Sequence, residues 1–500
     1  MKSHLTSGII ILLLLLSFSC RKDFSTIPST GNLSFSRDTV FLDTVFTNIS
    51  SSTYVLKVYN RSSDDIHIPS INLGRVNSFY RLNVDGVPGS SFENVALRGK
   101  DSLYIFIETT IDHSRATSPL YTDSIVFDSG DKLQDVKLVT LVQDAEFIYT
   151  NETSTDSIIP YFLEDKRKRA VRYLAPEELN FTNEKPYVIY GYCGVPEGST
   201  LTIDAGAKLY FHNKSALFID KNATLNINGT LEEKVFIEGD RLEPEFSETP
   251  GQWDAIWLHE ESNQHSINHV SIRNGTVGIF CDSLTTTSPK LTLKNTEIYN
   301  SSEYALLANE SEIIAENIVL GNSRIASLAL TNGGTYDFNH TTFANYWSQS
   351  VRRNSTVFLS NTEGFLSDLE TPKHLSATFA NSIVDGSSSQ ELSLEKNETD
   401  TFDYFFQNCM FKFTGDSEDP LYDFTDTNLY TNPVLNVELD YRDNGLNDFQ
   451  IGEDSEVINL GAISSAQKTP LDISEVDRTT APDLGAYQHI IFEVPEEETN

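Results

Sequence analysis

Residues 195–240, VPEGSTLTIDAGAKLYFHNKSALFIDKNATLNINGTLEEKVFIEGD, decide the fold. Short apolar triplets recur in them, among them Leu201-Thr202-Ile203, Leu217-Phe218-Ile219 and Leu225-Asn226-Ile227. Gly, Asn, Asp and Ser separate the triplets, and these residues favour tight turns. Short strands of inward and outward side chains, repeated at this spacing, predict stacked coils. We therefore expect a single-stranded right-handed parallel β-helix. The stretch that predicts it continues beyond residue 240 to Ser283.

A second pattern extends the repeat beyond residue 400. In six places a turn residue stands three positions before an apolar residue; these turn residues are His269, Asn295, Asn317, His340, Asn381 and Asn408. The steps between them are 26, 22, 23, 41 and 27 residues, and about 20–27 residues form one coil of a β-helix. We interpret the step of 41 as two coils, with Asn361 near its middle.

The turn residues predict a side-chain ladder. Asn tolerates left-handed backbone at a corner and can hydrogen-bond to the Asn of the coil above or below. In four of the six places a further Asn follows the apolar residue by two positions: Asn274, Asn300, Asn322 and Asn345. A β-sandwich would not be expected to keep this regular spacing of turn and apolar residues over so many residues.

The N-terminus predicts export and lipidation. Residues 1–19 combine a charged start with the apolar run 9–16, which is too short to span a bilayer. The ending Leu-Ser-Phe-Ser-Cys resembles a bacterial lipobox, which implies a lipoprotein signal peptide and acylation of Cys20. Two or three acyl chains would anchor the protein stably to a membrane. Residues 20–32 are expected to form a tether.

Residues 33–149 predict an all-β first domain. Runs rich in β-branched and aromatic residues, such as Tyr54–Tyr59 and Ser102–Ile107, alternate with turn clusters. This length and pattern are typical of an immunoglobulin-like β-sandwich. Residues 150–185 are then a linker, residues 186–490 the β-helix with a C-terminal cap, and residues 491–500 an acidic tail.

Recurrent Asp-Ser/Thr-aliphatic triplets resemble O-glycosylation acceptors of secreted Bacteroidetes proteins. Strand-initiating polar turns produce the same triplets by chance, so both interpretations stay open. The acceptor hydroxyls would be those of Thr39, Thr44, Ser102, Ser124, Ser157 and Ser283.

Composition excludes some partners. The chain has 72 acidic and 36 basic residues, a net charge of −36, so a basic footprint for nucleic acid is missing. An acidic polysaccharide would be repelled unless Ca²⁺ or a local basic patch intervened. Calcium is the only cofactor that we consider, and no motif supports it. The spacing of Cys20, Cys193, Cys281 and Cys409 fits no zinc motif; Cys281 and Cys409 are expected to be buried.

Several motifs carry a resemblance to a known family. Val195-Pro196-Glu197-Gly198 resembles the entry coil of bacterial β-helix proteins, Pro250-Gly251-Gln252-Trp253 resembles their PGxW coil, and Ala481-Pro482-Asp483-Leu484-Gly485 resembles their C-terminal motif. With Cys20, they make the chain similar to Bacteroidetes lipoproteins that join an Ig-like module to a pectin-lyase-like β-helix. The resemblance implies an outer-membrane lipoprotein, with the surface face slightly favoured, and assigns no activity.

Catalytic motifs of that fold are missing. Polygalacturonase-like enzymes carry Gly-His-Gly and Arg-Ile-Lys, which do not occur here, and the one Asp-Asp pair, Asp64-Asp65, lies in the first domain. A fold alone does not determine an activity. The remaining candidate is a ligand patch that combines flat aromatics with acids and imidazoles; its members are Trp253, Trp257, His259, Glu260, Glu261, His265 and His269. The alternative that we favour is that Trp257 and His269 face the core or the ladder and that the acidic side chains are solvated. Tyr346-Trp347 with Arg352-Arg353 is a second weak patch.

The sequence thus favours a non-catalytic binding or structural protein whose partner is a polysaccharide or a cell-surface protein. A polysaccharide lyase or glycoside hydrolase, and an adhesin, are the alternatives. A deep groove lined by two or more carboxylates, or by Lys or Arg with Tyr, would favour the enzyme. A groove lined by Asn, Ser and Thr with one or two aromatic rings would favour binding.

Overall fold

The computed structural model describes residues 25–116, 118–128, 132–150, 169–283, 289–362, 373–397, 399–415 and 419–493, and the backbone of 158–159. The chain divides into two compact units, Met1–Asp144 and Ala145–Asn500. The predicted signal peptide with Cys20, the candidate acceptor Ser157 and the first half of the basic run at residues 165–172 lie outside the described residues.

The first unit consists of two sheets around one core. A five-stranded antiparallel sheet has the order Ser34–Phe35, Tyr54–Tyr59, Ser102–Thr109, Tyr80–Val84, Val87–Gly89. A six-stranded mixed sheet has the path Ile27–Pro28, Ile66–Leu73, Leu120–Asp128, Leu133–Gln143, Thr39–Phe46, with Ser91–Leu97 paired to Ile66–Leu73. Alternate residues such as Leu56, Ile105 and Ile125 point into the shared core, because side chains alternate across a strand. A 3₁₀ turn spans His113–Arg115.

The second unit is β-helix-like. Its sheet contains 27 strands, and most strands pair in parallel with the strand three places further along the chain. Each coil therefore contributes one strand to each of three parallel sheets, which we name A, B and C in chain order. This arrangement agrees with the parallel coil predicted from the triplets of residues 195–240.

The strands of the three sheets have the following bounds. Sheet A contains Glu146–Tyr149, Tyr187–Tyr190, Lys208–Phe211, Val235–Gly239, Val270–Arg273, Thr342–Asn345, Ile383–Gly386, Met410–Phe411 and Val434–Leu435. Sheet B contains Arg169–Tyr173, Tyr192–Val195, Ala216–Ile219, Ile256–Leu258, Val277–Cys281, Val357–Ser360 and Leu392–Glu395. Sheet C contains Asn180–Phe181, Thr200–Asp204, Thr224–Asn228, His265–Asn268, Leu375–Ala380, Phe402–Gln407 and Tyr430–Thr431.

Three long strands pass through corners and serve more than one sheet: Leu291–Tyr299, Tyr304–Gly321 and Ala326–Asn339. Ile158–Ile159 pairs antiparallel with Arg169–Tyr173. Short helical turns occur at Pro176–Glu178, Pro244–Phe246, Pro420–Tyr422, Asn444–Leu446 and Ile463–Ala466.

The coil begins earlier in the chain than the sequence predicts. Glu146–Tyr149, assigned above to the sandwich, pairs with Tyr187–Tyr190 of sheet A. Arg169–Tyr173 and Asn180–Phe181, assigned above to the linker, belong to sheets B and C. These strands lack the repeated aliphatic triplet, so the periodicity did not reveal them. Ile27–Pro28, in the predicted tether, pairs with Ile66–Leu73 of the first unit.

The interior of the coil is a stack of aliphatic and aromatic side chains. Leu201, Leu225, Ile267 and Leu293 are inaccessible to solvent and lie in one continuous core. Full burial of a side chain of this size contributes about 1.5–3 kcal/mol. The stack therefore explains why the aliphatic triplets dominate the sequence of this unit.

The predicted Asn ladder is confirmed. All six anchor residues have positive φ, between 46° at Asn295 and 53° at His340. Asn317 Nδ2 donates to Asn295 Oδ1 at 3.0 Å, and Asn295 Nδ2 donates to Asn268 Oδ1 at 2.9 Å. Asn274, Asn300 and Asn322 also have positive φ. The ladder forms the corner between sheets C and A.

The interpretation of the 41-residue step is wrong. Strand Thr342–Asn345 pairs directly with Ile383–Gly386, so His340 and Asn381 belong to adjacent coils. Asn381 Nδ2 lies 2.8 Å from His340 Nε2. The step is therefore one coil with enlarged connections on either side of Val357–Ser360. Insertions at corners leave the strand pairing unchanged, so step length alone does not count coils.

The C-terminal segment covers a flank of sheet A instead of only closing an end of the stack. Residues 437–490, here named the strap, run back along the Asn ladder: Leu460 O accepts from Asn408 Nδ2 at 2.7 Å, and Leu471 O from Asn317 Nδ2 at 2.9 Å. Phe449 of the strap packs with Val319 of sheet A. The final coil is covered instead by residues near Pro420–Tyr422, including Leu421.

Candidate functional site

The structure separates the members of the predicted ligand patch. Trp253 is inaccessible to solvent and belongs to the coil core. Its ring stacks on Phe211 with centroids 4.8 Å apart, and its Nε1 donates to Arg273 O at 2.8 Å. Trp253 is therefore a packing residue and does not belong to an exposed ligand patch.

Trp257 and His259 lie on the outer side of sheet B. Trp257 is 2% exposed and contacts Phe218 and Phe280 of the adjacent strands. His259 lies beside the same rings, at 5.3 Å from Phe218. Glu260 is exposed and Glu261 is partly exposed with a φ of 61°. Trp257 therefore lies on the opposite side of the coil wall from Trp253, which is in the coil core.

His265 and His269 have structural roles. His265 is 1% exposed; its Nδ1 accepts from Leu225 N at 3.0 Å and its Nε2 lies 3.1 Å from Ser262 Oγ. Burial lowers the pKa of His265 to about 3, so the ring is neutral. His269 has a φ of 50° in the corner ladder, and burial lowers its pKa as well. Neither imidazole shares a surface with Trp257.

The second weak patch also divides into separate roles. Trp347 is 8% exposed and donates from Nε1 to Ser350 Oγ, and Tyr346 donates to Asp385 Oδ2. Arg352 is buried in an ion pair with Glu391, whereas Arg353 is exposed. Only Arg353 of this patch is fully accessible.

Other predicted positions have ordinary surroundings. Cys193, Cys281 and Cys409 are buried thiols, and they form no disulfide in the described part of the chain. The candidate glycosylation hydroxyls that the structure describes are all partly exposed: Thr39, Thr44, Ser102, Ser124 and Ser283.

A different surface gathers the polar and aromatic side chains. We name it the open end of sheet A, and it consists of outward-facing residues on the first strands of that sheet or directly after them: Tyr149, Tyr190, Tyr210, His212, Glu238, Asp240, Arg273, Glu297 and Tyr299. Register fixes their order, since Val188 pairs with Tyr210, Tyr210 with Glu238, and Arg273 with Tyr299. Adjacent parallel strands lie about 4.8 Å apart, so these side chains form continuous rows.

One row is an aromatic stack. The Tyr149 and Tyr190 ring centroids are 5.1 Å apart, and Tyr190 stacks on His212 at 4.4 Å with an interplanar angle of 23°. Tyr149 is 56% exposed. His212 Nδ1 lies 2.8 Å from Asp240 Oδ2, and this hydrogen bond raises the pKa of His212. The stack therefore presents flat ring faces on the surface, and the His212–Asp240 pair forms its charged end.

The neighbouring row ends in a polar groove of about 560 Å³ between sheet A and the strap. Within it, Lys234 Nζ lies 3.0 Å from Glu297 Oε2, and Tyr487 of the strap donates to Glu297 Oε1 at 2.7 Å. Burial, and then the charge of Glu297, raise the pKa of Tyr487 far above its usual range. Glu297 therefore holds the strap against sheet A.

Glu238 and Arg273 are the least engaged charges above this groove. Among the described residues Glu238 makes no hydrogen bond or ion pair, and burial raises its pKa although Arg273 and Lys208 oppose the rise. Arg273 Nε donates to Ser271 Oγ at 3.1 Å, and the guanidinium lies 5.5 Å from the centroid of the Tyr299 ring. A carboxyl group with a raised pKa is suited to hydrogen bonding or proton transfer.

The lining of the groove meets the compositional part of the criterion stated for an enzyme, because it combines Glu248, Glu297 and Asp448 with Lys, Arg and Tyr side chains. The aromatic stack meets part of the criterion for binding. Where the structure describes the chain, no group of three or more His, Cys, Asp or Glu side chains is arranged to hold a metal ion.

The prediction did not include these residues, although the sequence contains a signal for them. Tyr210 lies inside the triplet run Lys208-Leu209-Tyr210-Phe211, where alternation with the inward Leu209 and Phe211 places it outward. The pairing of Tyr210 with Glu238 requires the register between coils. The 240–250 loop hides the next register, between Glu238 and Arg273, because it lengthens the coil that separates their strands.

No protein-family model matches the chain, and no curated protein matches its sequence. A search of the described residues for a helix of sufficient length and apolar character to cross a bilayer finds none.

Proposed function

We propose that the chain is a lipid-anchored extracytoplasmic protein that binds a polysaccharide along the open end of sheet A. The observation that carries the proposal is the stack of Tyr149, Tyr190 and His212, which is open to solvent at Tyr149 and His212 and lies beside the row that ends in the polar groove. In this proposal the coil is a right-handed single-stranded β-helix, and the first unit is an Ig-like spacer. Both fit the resemblance to Bacteroidetes lipoproteins.

Sugar rings suit this surface chemically. Pyranose rings present apolar C–H faces that pack on flat aromatic rings, and hydroxyl groups that hydrogen-bond to carboxylates and guanidinium groups. The stack supplies the flat faces, and Asp240, Glu238 and Arg273 supply acceptors and donors beside it. Successive strands repeat these groups at about 4.8 Å, which suits a chain of sugar units.

The charge of the surface favours a neutral polysaccharide. In the groove Lys234 is paired with Glu297, and Arg442 with Asp448 at 3.0 Å. Arg273 faces Glu238, so the cations there are matched by acids. The chain as a whole carries −36, which would repel an acidic chain at low salt.

The lipid anchor rests on the motif that ends at Cys20, and the outer membrane on the family resemblance. Replacing Cys20 with Ser is expected to move the protein from the membrane fraction to the soluble fraction. Retention of the C20S protein in membranes would contradict the anchor. Binding to glycans does not depend on this result.

The binding test compares neutral and acidic polysaccharides for retention of the protein. The double variant Y149A/Y190A is expected to bind about tenfold more weakly, since each stacking contact contributes about 0.5–1.5 kcal/mol. Tyr104 is 41% exposed in the first unit, so Y104A is the matched control. Equal binding by the double variant would contradict the proposed site. Failure to bind any glycan would favour a protein partner, including the adhesin alternative.

A polysaccharide-active enzyme is the second candidate, and the position of Glu238 favours it. Its pKa is raised by burial, and Arg273 lies on the next strand. The same incubations, read for unsaturated products and new reducing ends, test it. Products that disappear in E238Q would support catalysis. Retention without products would leave the binding proposal in place and contradict the enzyme.

A further inference from the structure

A second concavity lies on the outer side of sheet B, away from the open end of sheet A. Its volume is about 360 Å³, at the lower end of the range for small-molecule sites. Tyr304, Ile325 and Phe358 give it an apolar floor, and Arg353, Asn354 and Ser393 give it polar groups. An apolar floor with a few convergent polar groups is typical of a small-molecule site.

A buried ion pair fixes the loop that presents Arg353. Arg352 Nη2 lies 2.5 Å from Glu391 Oε1, and the two side chains are 2% and 0% exposed. Arg352 also donates to Asn345 O at 3.0 Å and to Asn354 O at 2.8 Å. Thr356 N donates to Glu391 Oε2 at 3.0 Å. The residues on both sides of Arg353 are therefore held in place before any ligand arrives.

Arg353 itself is available. It makes no hydrogen bond or ion pair with any residue that the structure describes, and it is exposed. Guanidinium groups bind carboxylates through two parallel hydrogen bonds. An uncommitted guanidinium on a fixed backbone, beside an aromatic floor, therefore selects a ligand with both features.

We propose that this concavity is a binding site for a small aromatic carboxylate. The carboxylate pairs with Arg353, and the ring packs on Phe358 and Ile325. Asn354 and Ser393 are placed to hydrogen-bond to ring substituents. The site is independent of glycan binding on sheet A.

Glu395 allows the sign of the ligand charge to be tested. It is exposed and lines the same concavity, so its charge opposes a ligand carboxylate. At about 8 Å in water this repulsion corresponds to an approximately twofold change in affinity. Removing the charge of Glu395 should therefore tighten the binding of an anion, whereas it should weaken the binding of a ligand with an ammonium group.

The test is a titration of the full mature chain with benzoate and with its neutral counterpart benzamide, followed by saturation-transfer NMR and calorimetry. Benzoate is expected to bind at least about tenfold more tightly than benzamide, because a bidentate charge-assisted contact is lost with the amide. R353Q should weaken benzoate binding about tenfold, and E395Q should tighten it about twofold. R81Q, an exposed arginine of the first unit, is the matched control.

The proposal would be overturned by equal binding of benzoate and benzamide, by unchanged benzoate binding by R353Q, or by no binding of benzoate at millimolar concentration. Weaker benzoate binding by E395Q would also overturn it. Cyclohexanecarboxylate keeps the carboxylate of benzoate but has no aromatic ring, so it separates the contribution of the ring from that of the carboxylate. Binding equal to that of benzoate would contradict an aromatic site, and weaker binding would support it.

Discussion

His212 and Asp240 join two successive coils of sheet A through a 2.8 Å contact between Nδ1 and Oδ2. His212 follows strand Lys208–Phe211, and Asp240 follows the paired strand Val235–Gly239. Asp240 also begins the 240–250 loop. The contact therefore fixes the start of that loop beside the Tyr149–Tyr190 stack.

We expect the pKa of His212 to lie above 6.5, because the hydrogen bond to Asp240 favours the protonated ring. The folded state then binds this proton more tightly than the unfolded state. The stabilising contribution is complete below the unfolded pKa and disappears as pH rises through the folded pKa. Titration of the His212 ring protons by NMR measures the shift, and the spectrum of H212Q identifies the signal among ten histidines.

D240N is the informative partner variant. Removing the carboxylate charge should lower the pKa of His212 relative to the parent protein, and any pH dependence of glycan retention that this imidazole controls should move to lower pH. An unchanged titration in D240N would show that Asp240 does not control the imidazole.

The Asn ladder predicts a graded loss of stability. Asn317 has a φ of 52°, donates from Nδ2 to Leu471 O, and accepts from buried Arg478 Nη2 at 3.0 Å. N317A loses these bonds and places Ala in left-handed backbone, so we expect a decrease of about 3–4 kcal/mol in the free energy of unfolding. N317G should cost about 1 kcal/mol less, since glycine tolerates this φ.

Asn222 provides the matched control because it has a φ of 55° and is exposed. N222A should cost about 1–2 kcal/mol for the backbone alone, and N222G should cost less. Urea unfolding monitored by tryptophan fluorescence measures all four variants. Equal losses in N317A and N222A would contradict a contribution from the ladder bonds.

The ladder was predictable because it depends on local chemistry. Asn at a fixed phase indicates left-handed backbone whatever the rest of the fold does, and His340 occupies the same place with a φ of 53°. The inward triplets were predictable for the same reason, since alternation is a property of the strand itself.

The register between successive coils, and the covering of sheet A by the strap, were not predictable from the sequence. The direct pairing of Thr342–Asn345 with Ile383–Gly386 depends on loops whose length carries no information about coil number. The strap depends on side chains such as Phe449 finding Val319, which are far apart in sequence. The site residues lie at outward positions, and only register shows that Tyr210, Glu238 and Arg273 follow one another.

The Arg352–Glu391 pair should contribute strongly to the fold. Its side chains are 2% and 0% exposed, so E391Q leaves a buried guanidinium without its counter-charge. We expect a loss of about 3–5 kcal/mol, measured by urea unfolding. E316Q breaks the Lys294–Glu316 pair, whose side chains are 44% and 26% exposed, and should cost less than about 1 kcal/mol. Similar losses for both variants would contradict the role assigned to burial.

Removal of the strap should expose an apolar flank. A chain that ends at residue 436 loses Phe449 and Ile473, which pack with Tyr299 and Val319, and Ile451, which packs in the same cluster as Ile383. Each uncovered aliphatic side chain corresponds to about 1.5–3 kcal/mol of lost burial. We therefore expect a lower melting temperature and strong binding of a hydrophobic dye. A chain that ends at residue 493 keeps the whole strap and is the control. If the chain that ends at residue 436 melts at the same temperature as the control without binding dye, the strap does not stabilise sheet A.

Loss of Tyr487 also removes its hydrogen bond to Glu297, so weaker glycan retention by a folded truncated chain would place the wall of the binding groove in the strap.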